Sequence, residues 1–141
     1  MSRVMALDLG KVRIGIAISD IMGIIASGYQ TFERTGDEQK DMQNLAQLAK
    51  EKECATIVIG LPLNMDGSIG PSALASQEFG KKLKAYTDIT IAYWDERLST
   101  VSAERALLSA DMRRDKRKKI IDKVAASIIL QSYLDMRGNK I

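Results

Sequence analysis

Four carboxylates stand apart from the rest of the 18 acidic residues in this chain. Most of the others fall on amphipathic stretches, where a charged side chain needs no special role. Asp8 instead interrupts an apolar run, Arg3–Leu9, just before Gly10. A carboxylate is costly to bury there unless it is paired, hydrogen-bonded or bound to a cation. Asp95 and Glu96 end a second apolar run, Ile89–Trp94, and open α/β sheets place ligands at such strand ends. Asp122 stands beside an apolar stripe, two residues after Ile120. Each position also has a purely structural reading. Asp8 could accept backbone N–H bonds in a turn, Asp95 or Glu96 could cap the following helix, and Asp122 could sit in a first helical turn against the dipole.

The absences narrow the chemistry. There is no histidine, which excludes Ser-His-Asp and Cys-His mechanisms and any zinc site that needs imidazole. The single cysteine, Cys54, permits no intrachain disulfide and reads as a small buried residue rather than a nucleophile. Acid–base work therefore falls to carboxylates, lysines or a metal. Several acids from distant segments point to Mg²⁺ or Mn²⁺, hard cations that prefer oxygen ligands and keep open positions for water and phosphate. Two such ions can activate water and stabilise the leaving oxygen in phosphodiester hydrolysis. Gly10 and Gly15 do not form a P-loop, because the following Lys and Ser/Thr are missing.

Charge supports a polyanionic partner. The chain carries 21 Lys+Arg against 18 Asp+Glu, a net +3. Arg113, Arg114, Lys116, Arg117, Lys118 and Lys119, interrupted by Asp115, hold +5 of this, leaving −2 for the remainder. Such a patch binds and steers nucleic acid; the alternative is a solvated loop with no partner. The start, Met1 to Asp8, lacks a signal-peptide pattern. No run of about 18 apolar residues is present to span a membrane, so the expectation is a cytoplasmic protein without a membrane partner.

The elements that must position these residues follow from periodicity. Arg3–Leu9 and Val12–Ser19 read as a hairpin about Gly10-Lys11, with Ile14, Ile16 and Ile18 alternating against Gly15 and Ala17. A third strand is predicted near Ser27–Glu33. Asp37–Lys52 has a helical stripe of Met42, Leu45, Leu48 and Ala49, with Thr35 or Asp37 as cap. Ala55–Gly60 reads as a central strand buried on both faces. Pro71 opens a helix reaching about Tyr86, and Ile89–Trp94 is a strand. Ser99 or Thr100 caps a helix to about Ser109, and Ile120–Arg137 is a last helix. The order β-β-β-α-β-α-β-α-α gives one α/β domain over residues 1–141, with a mixed sheet covered by helices.

Four blocks in this order also resemble the YqgF family, whose members are described as Holliday-junction resolvases or pre-16S rRNA nucleases. They are Ala6–Asp20, Gly60–Ser68, Asp95–Thr100 and Asp122–Asp135. The resemblance covers nearly the whole chain and implies a ribonuclease-H-like fold, a five-stranded mixed sheet flanked by helices, with metal-dependent phosphodiester cleavage. It implies that Asp8, Glu96 and Asp122 bind Mg²⁺ or Mn²⁺, with Asp95 beside Glu96 as the competing candidate for the second carboxylate. It also gives substrate contacts to Lys11, Arg13, Asn64, Ser68 and Arg97. Arg97 has the alternative of a salt bridge to a site acid. Two substrates compete: the 5′ end of pre-16S ribosomal RNA in ribosome biogenesis, and branched DNA in recombination or repair. Resolving a four-way junction needs paired cuts and favours a dimer. The sequence displays no obvious dimer interface, so a monomer or weak homodimer acting on RNA is the leading expectation.

Overall fold

The computed structural model describes residues 2–111 and 114–138, and the side chains of these apart from 109–111 and 114–119. Three meandering strands come first: β1 (Arg3–Leu9), β2 (Arg13–Ser19) and β3 (Ala26–Glu33). Then follow α1 (Glu38–Glu51), β4 (Cys54–Leu61), α2 (Pro71–Leu83) and β5 (Thr90–Asp95). A 3₁₀ turn over Glu96–Leu98 leads into α3 (Val101–Asp111) and α4 (Arg114–Gly138). The sheet order is β3-β2-β1-β4-β5. β2 runs antiparallel to both neighbours, whereas β1, β4 and β5 are mutually parallel. This is the expected five-stranded mixed sheet.

Strand alternation sorts the core into two faces. Met5 and Leu7 of β1, Ile14, Ile16 and Ile18 of β2, and Ile57 and Ile59 of β4 face α1 and α2, where Met42, Leu45, Phe79 and Leu83 meet them. Val4, Ala6, Ala17 and Val58 face α4, meeting Ala126, Leu130 and Leu134. The second face is built from smaller side chains, and this lets α4 lie close to the sheet. A Cβ on Gly15 would collide with the backbone carbonyl of Asp122, and one on Gly28 would come within 3.0 Å of the Lys123 carbonyl. Glycine inside a strand marks such a backbone approach.

Helix starts follow local chemistry. Asp37 caps α1 by accepting from the Lys40 N–H at 3.2 Å, and Pro71 occupies the first position of α2. Cys54 is buried at the edge of β4, and burial pushes its thiol up to about 11, so it is held as an unreactive thiol. α2 is shorter than its periodicity predicts, with Ala85 and Tyr86 closing a turn onto the Lys82 and Leu83 carbonyls.

α4 is longer than predicted. The apolar stripe begins at Ile120, but the backbone is already helical from Arg114, because lysine and arginine are good helix formers without any apolar signal. Asp122 therefore lies in the helix interior, which corrects the first-turn reading. Residues 114–119 are helical, which corrects the solvated-loop alternative. Arg113 lies outside the described residues, as do the side chains of Arg114, Lys116, Arg117, Lys118 and Lys119. No described helix is long and apolar enough to cross a membrane.

Candidate active site

Asp8 is the next residue after Val4 and Ala6 on the α4 face of β1, so its carboxylate emerges near the strand's C-terminal end on that side. Its antiparallel partner is Gly15, the residue against which the Asp122 backbone rests. The absence of a side chain at Gly15 thus sets α4 down beside Asp8. Asp122 is half-buried there.

Glu96 reaches the same region from the β5 edge of the sheet. Ala92 and Trp94 of β5 face α4, whereas Ile91 and Tyr93 face α1 and α2. Asp95 continues the second series, and the 3₁₀ turn returns Glu96 to the α4 side. Glu96 is 8% exposed. Its Oε2 lies over Gly60, where a Cβ would sit 3.1 Å from it. Burial, followed by the negative charge of Asp8, raises the Glu96 pKa above the ordinary glutamate range, and Arg105 only partly offsets this.

Arg105 joins the two carboxylates. Its Nη2 donates to both Asp8 oxygens at 2.8 Å, and its Nη1 donates to Glu96 Oε1 at 3.3 Å. Burial opposes the guanidinium charge, but Asp8 and Glu96 outweigh it and raise the Arg105 pKa. The sequence reading missed this residue. The available signal was positional: Val101 is buried against Ala125 and Ile129, and Arg105 follows it by one helical turn on the same inward stripe. A cation on that stripe demands an anionic partner.

Asp95 takes part in a different cluster. Both its oxygens accept from Arg97 Nε at 3.1 Å, Oδ2 also accepts from Nη2 at 2.7 Å, and Oδ1 caps the 3₁₀ turn through the Arg97 N–H at 2.9 Å. The Arg97 side-chain hydrogen bond holds the Asp95 carboxyl below its usual range. Arg97 also donates to the Met65 carbonyl at 3.3 Å and packs on Gly67, whose φ of +86° favours glycine. In that loop Asn64 Nδ2 donates to Ser68 Oγ at 2.9 Å, and Ser68 Oγ donates to Asp66 at 2.6 Å. Asn64, Ser68, Asp95 and Arg97 are thus assembled together, but around each other rather than around Asp8.

The remaining predicted contacts divide by face. Arg13 shares the α4 face with Gly15 and lies 3.9 Å from Glu33, its Nε buried without a hydrogen bond. Lys11 is exposed in the β1–β2 turn and lines an open groove of about 780 Å³ with Arg34, Lys82 and the first turn of α2. That groove is on the opposite side of the sheet from the Asp8–Glu96 pair.

Among the described residues, no three acids, cysteines or histidines converge as a finished metal cage. Two carboxylates do converge on one cation, the guanidinium of Arg105. All-oxygen donors of this kind suit a hard divalent ion and are wrong for a soft one.

A family model described as "RuvX: Holliday junction resolvase" matches residues 2–136. A relative from Halalkalibacterium halodurans, with the curated name "Putative pre-16S rRNA nuclease", is 54% identical over 139 residues, spanning 98% of this chain and 99% of its own length. One of the same name from Clostridioides difficile is 51% identical, with coverages of 97% and 96%. The solved structure of T. thermophilus RuvC in complex with Holliday junction substrate superposes with a TM-score of 0.60 at 6% identity, covering 97% of both chains. At that identity the likeness concerns the fold, which is RuvC-like and ribonuclease-H-like.

Proposed function

The chain belongs to the RuvX family, also called YqgF, and from that premise we propose that it is a metal-dependent nuclease that processes the 5′ end of pre-16S ribosomal RNA. The observation that carries this reading is the convergence of Asp8 and Glu96, from segments far apart in sequence, on one cation at the C-terminal ends of parallel strands. The curated names of relatives at about half identity over nearly their full length support the RNA substrate.

Asp8, Glu96 and Asp122 are the residues that would hold Mg²⁺ or Mn²⁺. When bound, such an ion supplies Lewis acidity, activating water and neutralising charge on the leaving oxygen. The chain's own contribution is to hold two carboxylates, one on β1 and one in the 3₁₀ turn, against the small-residue face of the sheet, where water is largely excluded and electrostatic interactions are strengthened. Arg13, on the same face and partly exposed, would offer its guanidinium to a backbone phosphate. The basic segment 113–119, just before Asp122 in sequence, would hold the rest of the backbone. Arg97 and the Asn64–Ser68 turn offer an outer wall for the substrate.

A second substrate follows from the family model's own description, Holliday junction resolvase. Wild type and Asp8→Asn are to be incubated with Mg²⁺ or Mn²⁺ on the labelled pre-16S 5′ segment and on a four-way DNA junction. RNA cleavage by wild type alone is the expected result. Junction cleavage without RNA cleavage would transfer the assignment to DNA, and equal cleavage by the variant would remove Asp8 from the mechanism.

A further inference from the structure

Arg105 bridges the two carboxylates, Asp8 and Glu96, that the proposed metal would need. Its Nη2 is shared between both oxygens of Asp8 at 2.8 Å, and its Nη1 reaches Glu96 at 3.3 Å. The side chains of Asp8 and Glu96 are only 12% and 9% exposed, so few other groups can neutralise them. Left without a cation, two carboxylates this close would repel one another across a poorly hydrated gap. The guanidinium removes that repulsion and leaves one net negative charge on the trio.

A divalent ion makes a different demand on the same oxygens. Mg²⁺ needs carboxylate oxygens at about 2.0–2.1 Å and near-octahedral geometry. While both Asp8 oxygens accept from Arg105, a divalent ion would have to share them with the guanidinium, and two cations would then crowd one pair of carboxylates. The guanidinium has a way out, because its side chain is 35% exposed on a helix that is anchored at Val101, one turn earlier. Rotation of the side chain alone would clear the site and place the cation at its mouth, where an incoming phosphodiester brings negative charge.

We infer that Arg105 is a built-in competitor of the divalent metal, bridging Asp8 and Glu96 in the metal-free protein and released toward the substrate phosphate when the ion binds. This rests on the reading of Asp8 and Glu96 as metal ligands. It assigns Arg105 a positioning role: it keeps the empty carboxylate pair in register and lowers metal affinity until substrate is present to receive the guanidinium.

The test is calorimetric titration of Mn²⁺ into wild type, Arg105→Gln and Arg105→Lys, without nucleic acid. Glutamine removes the charge, and lysine keeps a point charge that cannot span both carboxylates. The expected order of Mn²⁺ affinity is wild type weakest, Arg105→Lys intermediate and Arg105→Gln tightest, by roughly tenfold over wild type (about 1.4 kcal/mol). An arginine that only braces the fold would give the opposite order, since its loss would loosen the site. Wild-type binding with no gain in Arg105→Gln overturns the competition alone. Absence of Mn²⁺ binding in all three proteins overturns the competition together with the metal reading of Asp8 and Glu96. Should Arg105→Gln fail to fold, Arg105→Lys decides: tighter binding than wild type supports the competition, and equal or weaker binding overturns it.

Discussion

Two arginine–carboxylate clusters lie a few residues apart in sequence and differ in nearly every physical respect. Arg97 and Asp95 are two residues apart and pair at 2.7 Å in a site where the arginine side chain is 38% exposed. The loop Asn64–Ser68 gathers round them through its own hydrogen bonds. Arg105 reaches Asp8 across 97 residues of sequence and Glu96 across nine. Its carboxylates lie on the small-residue face of the sheet, under α4. The outer pair is a local device that closes a turn. The inner trio exists only because three separate elements meet, and its carboxylates have few alternatives to a cation. The shortest ion pair is therefore not the one at the proposed active site, which is set apart by burial and by the number of elements that converge.

The sharpest test of this contrast is activity. Asp8→Asn and Glu96→Gln are expected to lower cleavage by roughly 10²-fold or more, the scale associated with losing electrostatic stabilisation at a reacting centre. Asp95→Asn, in the outer cluster, should stay within a few-fold of wild type in the same assay. A large loss in Asp95→Asn with retained activity in Glu96→Gln would reverse the assignment of the two adjacent acids.

Stability separates the clusters at their glycines. Gly15→Val drives a side chain into the Asp122 backbone and should cost about 1–3 kcal/mol in urea unfolding, as overpacking does. Gly67→Ala in the outer turn meets only the flexible end of Arg97 and a φ of +86°. Its cost should be about 1 kcal/mol, from the left-handed backbone. A Gly15→Val protein as stable as wild type would show that α4 does not rest on β2 as described.

The two acids also respond to pH in opposite senses. Burial first, and Asp8 second, raise the Glu96 pKa, so the folded state holds that proton more tightly than the unfolded chain. Glu96 therefore costs stability as pH rises from its unfolded value of about 4.5 through its folded value. Asp95 is held low, chiefly by the Arg97 side-chain hydrogen bond, so it stabilises above its unfolded value of 3.8 and loses that contribution as pH falls through the folded value. In urea titrations from about pH 4 to about pH 7, Glu96→Gln should gain stability relative to wild type, and Asp95→Asn should not. Parallel curves for the two variants would remove the distinction. The smallest effect is expected from Arg97→Ala, which breaks an exposed pair of the kind that contributes little. Its thermal midpoint should match that of wild type, and any deficit should appear in substrate KM rather than kcat.

Much of the inner site was already legible. Asp8 stands out because a carboxylate interrupts an apolar strand, and the alternation that puts Asp8 with Val4 and Ala6 is visible in the residues themselves. The same count puts Asp95 with Ile91 and Tyr93, on the other face. What it does not reveal is how the chain turns after the strand ends, and that turn is what brings Glu96 back to Asp8. Arg105 was hidden for a related reason: an arginine on a helix usually faces solvent, and only its one-turn spacing from Val101 marks it as inward. The start of α4 was missed because basic residues extend a helix without any apolar periodicity to announce it.

Local chemistry, written in side-chain type and spacing, was enough to determine the strands, most helix limits, the class of sheet and the identity of the carboxylates that cannot be ordinary surface acids. Period-two and near-four-residue patterns act over a few residues, so a single pass along the chain can read them. The tertiary structure alone decided which cation Asp8 and Glu96 share, which of Asp95 and Glu96 faces inward, and where Asp122 rests. Those outcomes depend on how closely α4 can approach Gly15 and Gly28 and on the direction in which α3 leaves the 3₁₀ turn. They are packing distances between elements far apart in sequence, and no local pattern encodes them.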